Sequence, residues 1–259
     1  MNPVIIILGV VIAILIYVLY TYFSSTSTQL TSVASLKTAT LPDITSINNP
    51  TNTRYGYSIW VYVNSWDNSQ IKTIFSRAGN ISLSLSQNAP TLTCNITMND
   101  NSVIPMVITD NFPLQKWVFV AISVDNQFVD AYLEGKLVKS QRCVKIDSTG
   151  VISAMPKVPG DSLVAIKLGN LPTATITTAA VPAVGTTPAT PAVTTSTVNP
   201  FDAYIADFKR WTAPIDPQSA WSTYMSGNGG NGVTKALTSY GVNVSVLKNN
   251  IEQSKFSLL

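Results

Sequence analysis

Histidine is absent from the 259 residues. That removes Ser-His-Asp and Cys-His catalysis, histidine-ligated metal sites and imidazole acid–base chemistry. Glutamate occurs twice, at Glu134 and Glu252. Charged residues make up 11% of the chain, against about 25% in an average soluble domain. The net charge of +3 is too small to direct the chain to nucleic acid. Cys94 and Cys143 are the only cysteines. Cys94 is in phase with Leu92, Ile96 and Met98, as a small hydrophobe on an apolar strand face. Cys143 is out of phase with Val144 and Ile146. Two cysteines leave both a disulfide and two free thiols open and fix no redox compartment. With these residue types missing, no enzyme activity, metal or cofactor is expected.

What the sequence has in quantity is Thr, Ser, Asn, Val and Ile, the composition of strands and turns. Residues 117–124 are apolar on both faces, which calls for cover on both. Asp125-Asn126-Gln127 turns the chain, residues 128–133 return, and Glu134-Gly135 makes a second tight turn into residues 136–140. Before this meander come candidate strands at 55–63, 72–77, 81–86, 91–98 and 103–109; after it come 162–169 and 201–211. Short strands at this spacing indicate an all-β, two-sheet antiparallel sandwich. Asp216 as N-cap, Pro217 at the first helical position and Gly227 as stop predict a short helix over 218–225.

Outside this sandwich, expected over residues 54–226, three segments stand apart. Residues 4–23 carry no charge and one glycine, and as a helix they span about 30 Å, a bilayer core. Tyr17, Tyr20 and Tyr22 gather at the far end like an interfacial belt. Only Met-Asn-Pro precedes the run, and Ser24-Ser25-Thr26 offers no cleavage signal. Residues 1–23 are therefore expected to be a single transmembrane helix, with Val4, Ile12, Ile16, Tyr17, Tyr20 and Phe23 among its membrane-facing residues. The first cation after it is Lys37, which biases the large domain to the cytosolic side. On that side the triplets beginning at Asn80, Asn95 and Asn243 carry no glycan. Residues 24–53 read as a polar stalk with one short strand near 32–39. The uncharged insertion 171–200 is a disordered loop, a mucin-like stalk or an arm that orders against a neighbour. Pro182, Pro188 and Pro191 are its candidate partner contacts. After a glycine-rich joint, residues 227–259 form a tail with a strand at 242–247, and Val242 and Phe256 are contact candidates there. The run Lys136, Lys139, Arg142 and Lys145 is either a solvated strand edge or a contact for anionic head groups or an acidic partner.

Several pieces together resemble the concanavalin A-like lectin/glucanase superfamily in its laminin-G-like form: Tyr57-Ser58-Ile59-Trp60-Val61, Thr73-Ile74-Phe75-Ser76, Gln115-Lys116-Trp117-Val118-Phe119-Val120-Ala121, Ala131-Tyr132-Leu133-Glu134-Gly135-Lys136-Leu137-Val138, and Tyr204-Ile205-Ala206-Asp207-Phe208-Lys209-Arg210-Trp211 with the helix after it. The resemblance implies a jelly-roll sandwich. The anchor, stalk, domain and glycine-rich joint also look like membrane-anchored proteins of large double-stranded DNA viruses. That likeness implies a minor capsid protein between an internal virion membrane and the shell, with the lipid bilayer and other capsid or virion proteins as partners. The alternative implied is a membrane-anchored carbohydrate-binding module. Lectins of the superfamily use calcium, for which Asp100-Asn101, Asp110-Asn111 and Asp125-Asn126 are candidates, though all three also read as turns. Tyr55, Trp66 and Phe112 would be candidates to stack sugars. The hydrolases of the superfamily carry Glu-x-Asp-x-x-Glu on one strand, and this chain has no such motif.

Overall fold

The computed structural model describes residues 9, 11–16, 26–38, 41–171, 173–178, 193–197, 199–229, 242–248 and 251–258. In chain order the strands are β1 (Ser27–Ser35), β2 (Arg54–Val63), β3 (Lys72–Arg77), β4 (Ile81–Leu85), β5 (Leu92–Thr97) and β6 (Val103–Thr109). Then come β7 (Trp117–Asp125), β8 (Phe128–Leu133), β9 (Lys136–Arg142), β10 (Lys145–Ile146), β11 (Ile152–Ala154) and β12 (Ile166–Leu168). The last are β13 (Thr173–Thr178), β14 (Val193–Thr197), β15 (Ala203–Trp211), β16 (Val242–Lys248) and β17 (Ile251–Leu258), with helix α1 (Pro217–Met225) after β15. Two antiparallel sheets face each other, one ordered β1-β15-β2-β7-β8-β9 and the other β12-β3-β4-β5-β6. Among the described residues, three two-stranded ribbons accompany them, β10-β11, β13-β14 and β16-β17.

The two-faced apolar strand is central to the first sheet. Val118, Val120, Ile122 and Val124 point into the inter-sheet core with Ile59, Val61, Phe75 and Leu83. Phe119 and Ala121 point out and lie with Trp60, Tyr132 and Ala206 under Ile215 and Ala220 of the α1 region. The helix follows its sequence signals. Asp216 accepts hydrogen bonds from the main-chain N–H of Gln218 and Ser219, each at 2.9 Å, and Gly227 leaves the helix at φ +81°. The β8–β9 turn has φ +50° at Glu134 and +73° at Gly135, the paired positive values of a type I′ turn.

Four expectations change. Residues 27–35, expected in a polar stalk, form an edge strand hydrogen-bonded to β15, and Leu36 and Ile47 are buried in the core. The ladder supplies what the Ser/Thr-rich side chains do not: an edge strand needs only one inward face, here Leu30 and Ala34. The strand ends where Leu36 turns inward and donates its N–H to the carbonyl of Ala203. The strand expected at 162–169 is confined to β12, because Asp161 caps a turn through the N–H groups of Leu163 and Val164. Within the insertion, β13 and β14 pair as an antiparallel ribbon. The tail strand pairs with a second one, β17.

Candidate interaction surfaces

The sandwich has two ends, and the chain uses them differently. At one end lie the start of β1, the end of β15, the start of β2 and the β7–β8 turn, with Ser27 opposite Trp211, Trp211 opposite Gly56 and Arg54 opposite Asp125. The matching end of the second sheet is fixed by Asn80, whose Nδ2 donates to the Tyr55 hydroxyl at 2.8 Å. Two arginines clamp the loop between them. Arg210 donates to the carbonyls of Asn48 (3.3 Å) and Asn49 (2.8 Å) and to the Tyr57 hydroxyl. Arg77 donates to the carbonyls of Pro50 (2.8 Å), Gly160 (2.7 Å), Asp161 (3.0 Å) and Val164 (3.2 Å). Both side chains are buried, and each guanidinium is satisfied by main-chain carbonyls instead of a carboxylate. A cavity of about 150 Å³ opens at this end among Tyr55, Val124, Asn126, Gln127, Met155, Lys157 and Val158.

At the opposite end the insertion leaves and returns. Asn170 Nδ2 donates to the Asn199 carbonyl at 2.9 Å, and Gln70 Nε2 reaches the Pro200 carbonyl. Lys72, buried here, donates to the carbonyls of Gln70 and Gln87 and lies 4.0 Å from the Trp66 ring centroid. Burial pushes its ammonium pKa down. Asp202, next to the returning chain, accepts from Asn64, Lys37 and Ser65, and these bonds, Asn64's first, hold its carboxyl below the ordinary value.

The residues singled out from sequence fall as follows. Val4, Tyr17, Tyr20, Phe23, Pro182, Pro188 and Pro191 lie outside the described residues. Ile12 and Ile16 lie in helical residues 11–16 and are exposed. Among the described residues no helix is long and apolar enough to cross a membrane. Val242 stands opposite Leu258 and Phe256 opposite Val244 in the tail ribbon. Asp100 is engaged by Lys145 (2.8 Å) and Ser102, which hold its carboxyl well below the ordinary range, and Asp125 pairs with Arg54. Asn101 and Asn126 take positive φ as turn residues. Among the described residues no three His, Cys, Asp or Glu side chains gather as a metal site. Of the basic run, Lys145 is ion-paired, Arg142 binds Gln127, and Lys136 and Lys139 stand exposed on the edge strand β9. Cys94 and Cys143 are both buried and free. Burial pushes the Cys143 thiol up to about 11 and that of Cys94 higher, the latter aided by Cys143.

Tyr55 and Phe112, candidate sugar-stacking rings, are buried, and Trp66 is covered by Lys72. Partly exposed rings lie instead on the outer face of the first sheet, where Tyr204, Tyr62 and Trp117 stand in one cross-strand row. Ring centroids are 6.5 Å apart for Tyr204–Tyr62 and 5.6 Å for Tyr62–Trp117. Sequence reading missed this row because β2 and β7 are apolar on both faces and alternation does not say which ring α1 leaves uncovered. The buried arginines gave no signal, since a lone cation ending a strand reads as solvated.

Residues 36–151, less than half of the chain, match a laminin G model of the concanavalin A-like lectin/glucanases superfamily. None of the curated proteins matches the sequence. Solved structures similar to the chain include the botulinum neurotoxin serotype D binding domain, at 15% identity and TM-score 0.46 over 70% of this chain and 39% of that one. The botulinum neurotoxin type G receptor binding domain follows at 13% identity and TM-score 0.44, over 68% and 38%. The binding domain of botulinum neurotoxin DC, solved in complex with rat synaptotagmin II, has 16% identity and TM-score 0.43, over 69% and 37%. The chain spans about two-fifths or less of the length of these solved chains. What the chain carries is a lectin-like antiparallel jelly roll, similar over residues 36–151 to the laminin-G-like form.

Proposed function

We propose that the protein is a membrane-tethered, non-catalytic structural linker, acting as a minor capsid protein that ties an internal viral membrane to the capsid shell. The observation that carries this reading is the polarity of the sandwich. The apolar run feeds β1 at one end, and the uncharged insertion leaves from the other. The ten residues of β2 set these ends about 30 Å apart. Among the described residues both ribbons β13-β14 and β16-β17 pair only with themselves, which leaves their outer edges as candidates to add to a partner. The absence of histidine and the commitment of Asp100, Asp125 and Glu134 to turns and ion pairs support a role without chemistry. The test is cross-linking mass spectrometry on native particles. The expected result is regular stoichiometry, with cross-links from the insertion and tail to capsid subunits. Recovery from cell membranes only, with no particle-associated copy, refutes the assignment. The sandwich faces the cytosolic side, so Asn95, the exposed-face acceptor, stays unglycosylated; a glycosidase-sensitive shift reverses the orientation.

A second reading, a carbohydrate-binding module, is favoured by the Tyr204, Tyr62 and Trp117 row, since aromatic faces stack on sugars. It predicts glycan-array retention that is lost in Tyr62→Ala and Trp117→Ala, and no retention by the parent chain removes it.

A further inference from the structure

We infer that the end of the sandwich where β1 begins is a membrane-resting surface, seated in the headgroup boundary of the bilayer that holds the apolar run. The inference rests on the anchor reading above and adds to it a second, independent membrane contact.

The apolar run ends at Phe23 and β1 starts at Ser27, so four residue steps, at most about 14 Å, separate bilayer from sheet. The residues expected to form a stalk include β1 itself, and Leu36 and Ile47 after it are buried in the core. Whatever lies at the Ser27 end is therefore held at the membrane surface.

That end is apolar where it faces out. Phe128 opens β8, opposite Asp125 and Arg142. Ile146 and Val151 belong to the β10–β11 ribbon, which is tied to this end by the Lys145–Asp100 ion pair. Met155 and Val158 line the mouth of the cavity. Leu163 follows on the strap whose carbonyls Arg77 holds, and it is 87% exposed. All six are exposed side chains, and at Cys143–Ile146 alternation points the cysteine in and the isoleucine out. Among the described residues the opposite end also exposes large apolar side chains, Ile71, Leu114 and Leu171 in its connecting segments and Leu137 and Val138 at the start of β9. Large side chains of this kind left in water are unfavourable, and burying them at an interface recovers about 25 cal/mol per Å².

The charges choose the occupant. Arg54 is paired with Asp125 and Lys145 with Asp100, while Arg142 and Lys157 are bonded to Gln127 and Asn101. Arg142 and Lys157 keep their charge beside neutral amides, but the exposed carboxylates of Asp147 and Asp161 at the same end balance them, so the surface does not select an acidic protein or require anionic lipid. It suits a zwitterionic interface, into which exposed aliphatic and aromatic groups partition. Anchored this way, the jelly roll stands upright on the bilayer and presents the insertion outward.

The test uses the full chain in phosphatidylcholine vesicles, with single added cysteines, Val151→Cys, Val158→Cys and Leu163→Cys on the face and Ile71→Cys at the far end. Each carries an environment-sensitive nitrobenzoxadiazole label; the native thiols are buried and stay unlabelled. Labels on the face should shift to the blue and lose at least half their emission to headgroup-depth doxyl lipid, while the Ile71→Cys label does neither. A Phe128→Asp/Ile146→Asp pair, changed at exposed positions that leave the core intact, should abolish quenching at Leu163→Cys with the circular dichroism unchanged. Alkaline carbonate extraction reads the anchor separately. A chain that resists carbonate but whose face labels behave like Ile71→Cys overturns the inference and leaves the anchor standing. A chain released by carbonate removes the anchor; face labels quenched before extraction then support the face alone, and unquenched ones overturn it. Labels that shift to the blue without doxyl quenching assign the face to a second copy of the chain and also overturn it.

Discussion

Replacing Arg77 by methionine should destabilise the sandwich by about 3–4 kcal/mol. The side chain ends β3, is 1% exposed, and donates four hydrogen bonds to the carbonyls of Pro50, Gly160, Asp161 and Val164. Four charge-assisted bonds at about 1.5 kcal/mol each come to roughly 6 kcal/mol. Releasing the guanidinium from its buried site offsets part of this, and the acceptors lie on loops that water can reach after the change. For a domain of this size the net corresponds to a fall in Tm of about 10 °C. Arg77→Lys should recover less than half. Its ammonium presents three donors from a single point, whereas Nε, Nη1 and Nη2 of the arginine reach carbonyls in three directions. Urea unfolding of the detergent-solubilised chain, followed by tryptophan fluorescence, gives the free energies, and limited proteolysis at residues 158–164 reports release of the strap. A methionine variant within about 1 kcal/mol of the parent at unchanged m-value would refute the clamp. Full rescue by lysine would show that charge matters and the fork does not.

Gly135→Ala places a methyl group at φ +73°, 2.9 Å from the Trp221 ring and 3.0 Å from Tyr224 Cβ, so α1 must lift; a loss of about 2–3 kcal/mol and a red-shifted tryptophan spectrum are expected. Asp202 and Asp216 have folded pKa values below the ordinary 3.8, through Asn64 and through the Ser219 hydroxyl respectively. Their contribution is therefore complete at neutral pH and is lost as pH falls from about 4 through the depressed values. The urea midpoint should drop in that window, less steeply in Asp202→Asn, and an unchanged slope in that variant would remove the assignment. Pulling a single molecule between Thr26 and Pro200 should require a higher rupture force than pulling between Thr26 and Thr212; equal forces would contradict the load path argued below.

The meander was legible because each of its signals is local. Residues 117–124 announce burial on both faces, and Glu134-Gly135 announces a turn whose φ values only glycine and a few others accept. The helix was legible for the same reason, as cap, proline and glycine sit within the twelve residues 216–227. Strand β1 was not, because its stability comes from seven register pairs to β15, some 170 residues away, and its own Ser and Thr side chains say loop. The clamps were hidden likewise: Arg77 and Arg210 differ from surface arginines only in what the fold brings over them. The exposed apolar residues at the Ser27 end were visible as letters in Val151–Val158. Without the topology, nothing said that this stretch and the start of β1 share one end of the molecule.

The order of strands bears on how the proposed linker would carry load. β1 runs from the membrane end, with Ser27 opposite Trp211, to the far end, with Ser35 opposite Tyr204; β15 runs the other way and receives the insertion at its start. A membrane pulling on the residue before Ser27 and a partner pulling through Pro200, as proposed, would draw these two neighbours apart along their length. The ladder bonds lie across the strands, so this direction loads them together. Pulling at Thr26 and Thr212, which are bonded to each other at the membrane end, loads them one at a time. Beyond β1 the load passes to β2 through a second antiparallel ladder, and Arg210 ties the end of β15 to the Asn48–Asn49 loop. An edge strand of serine and threonine suits this task, since its resistance comes from the main chain and not from its side chains. The long-range pairings of the sandwich include β1–β15, β15–β2 and β12–β3, and the first of these joins β1 to the last strand of the two main sheets, where the proposed tether would load it.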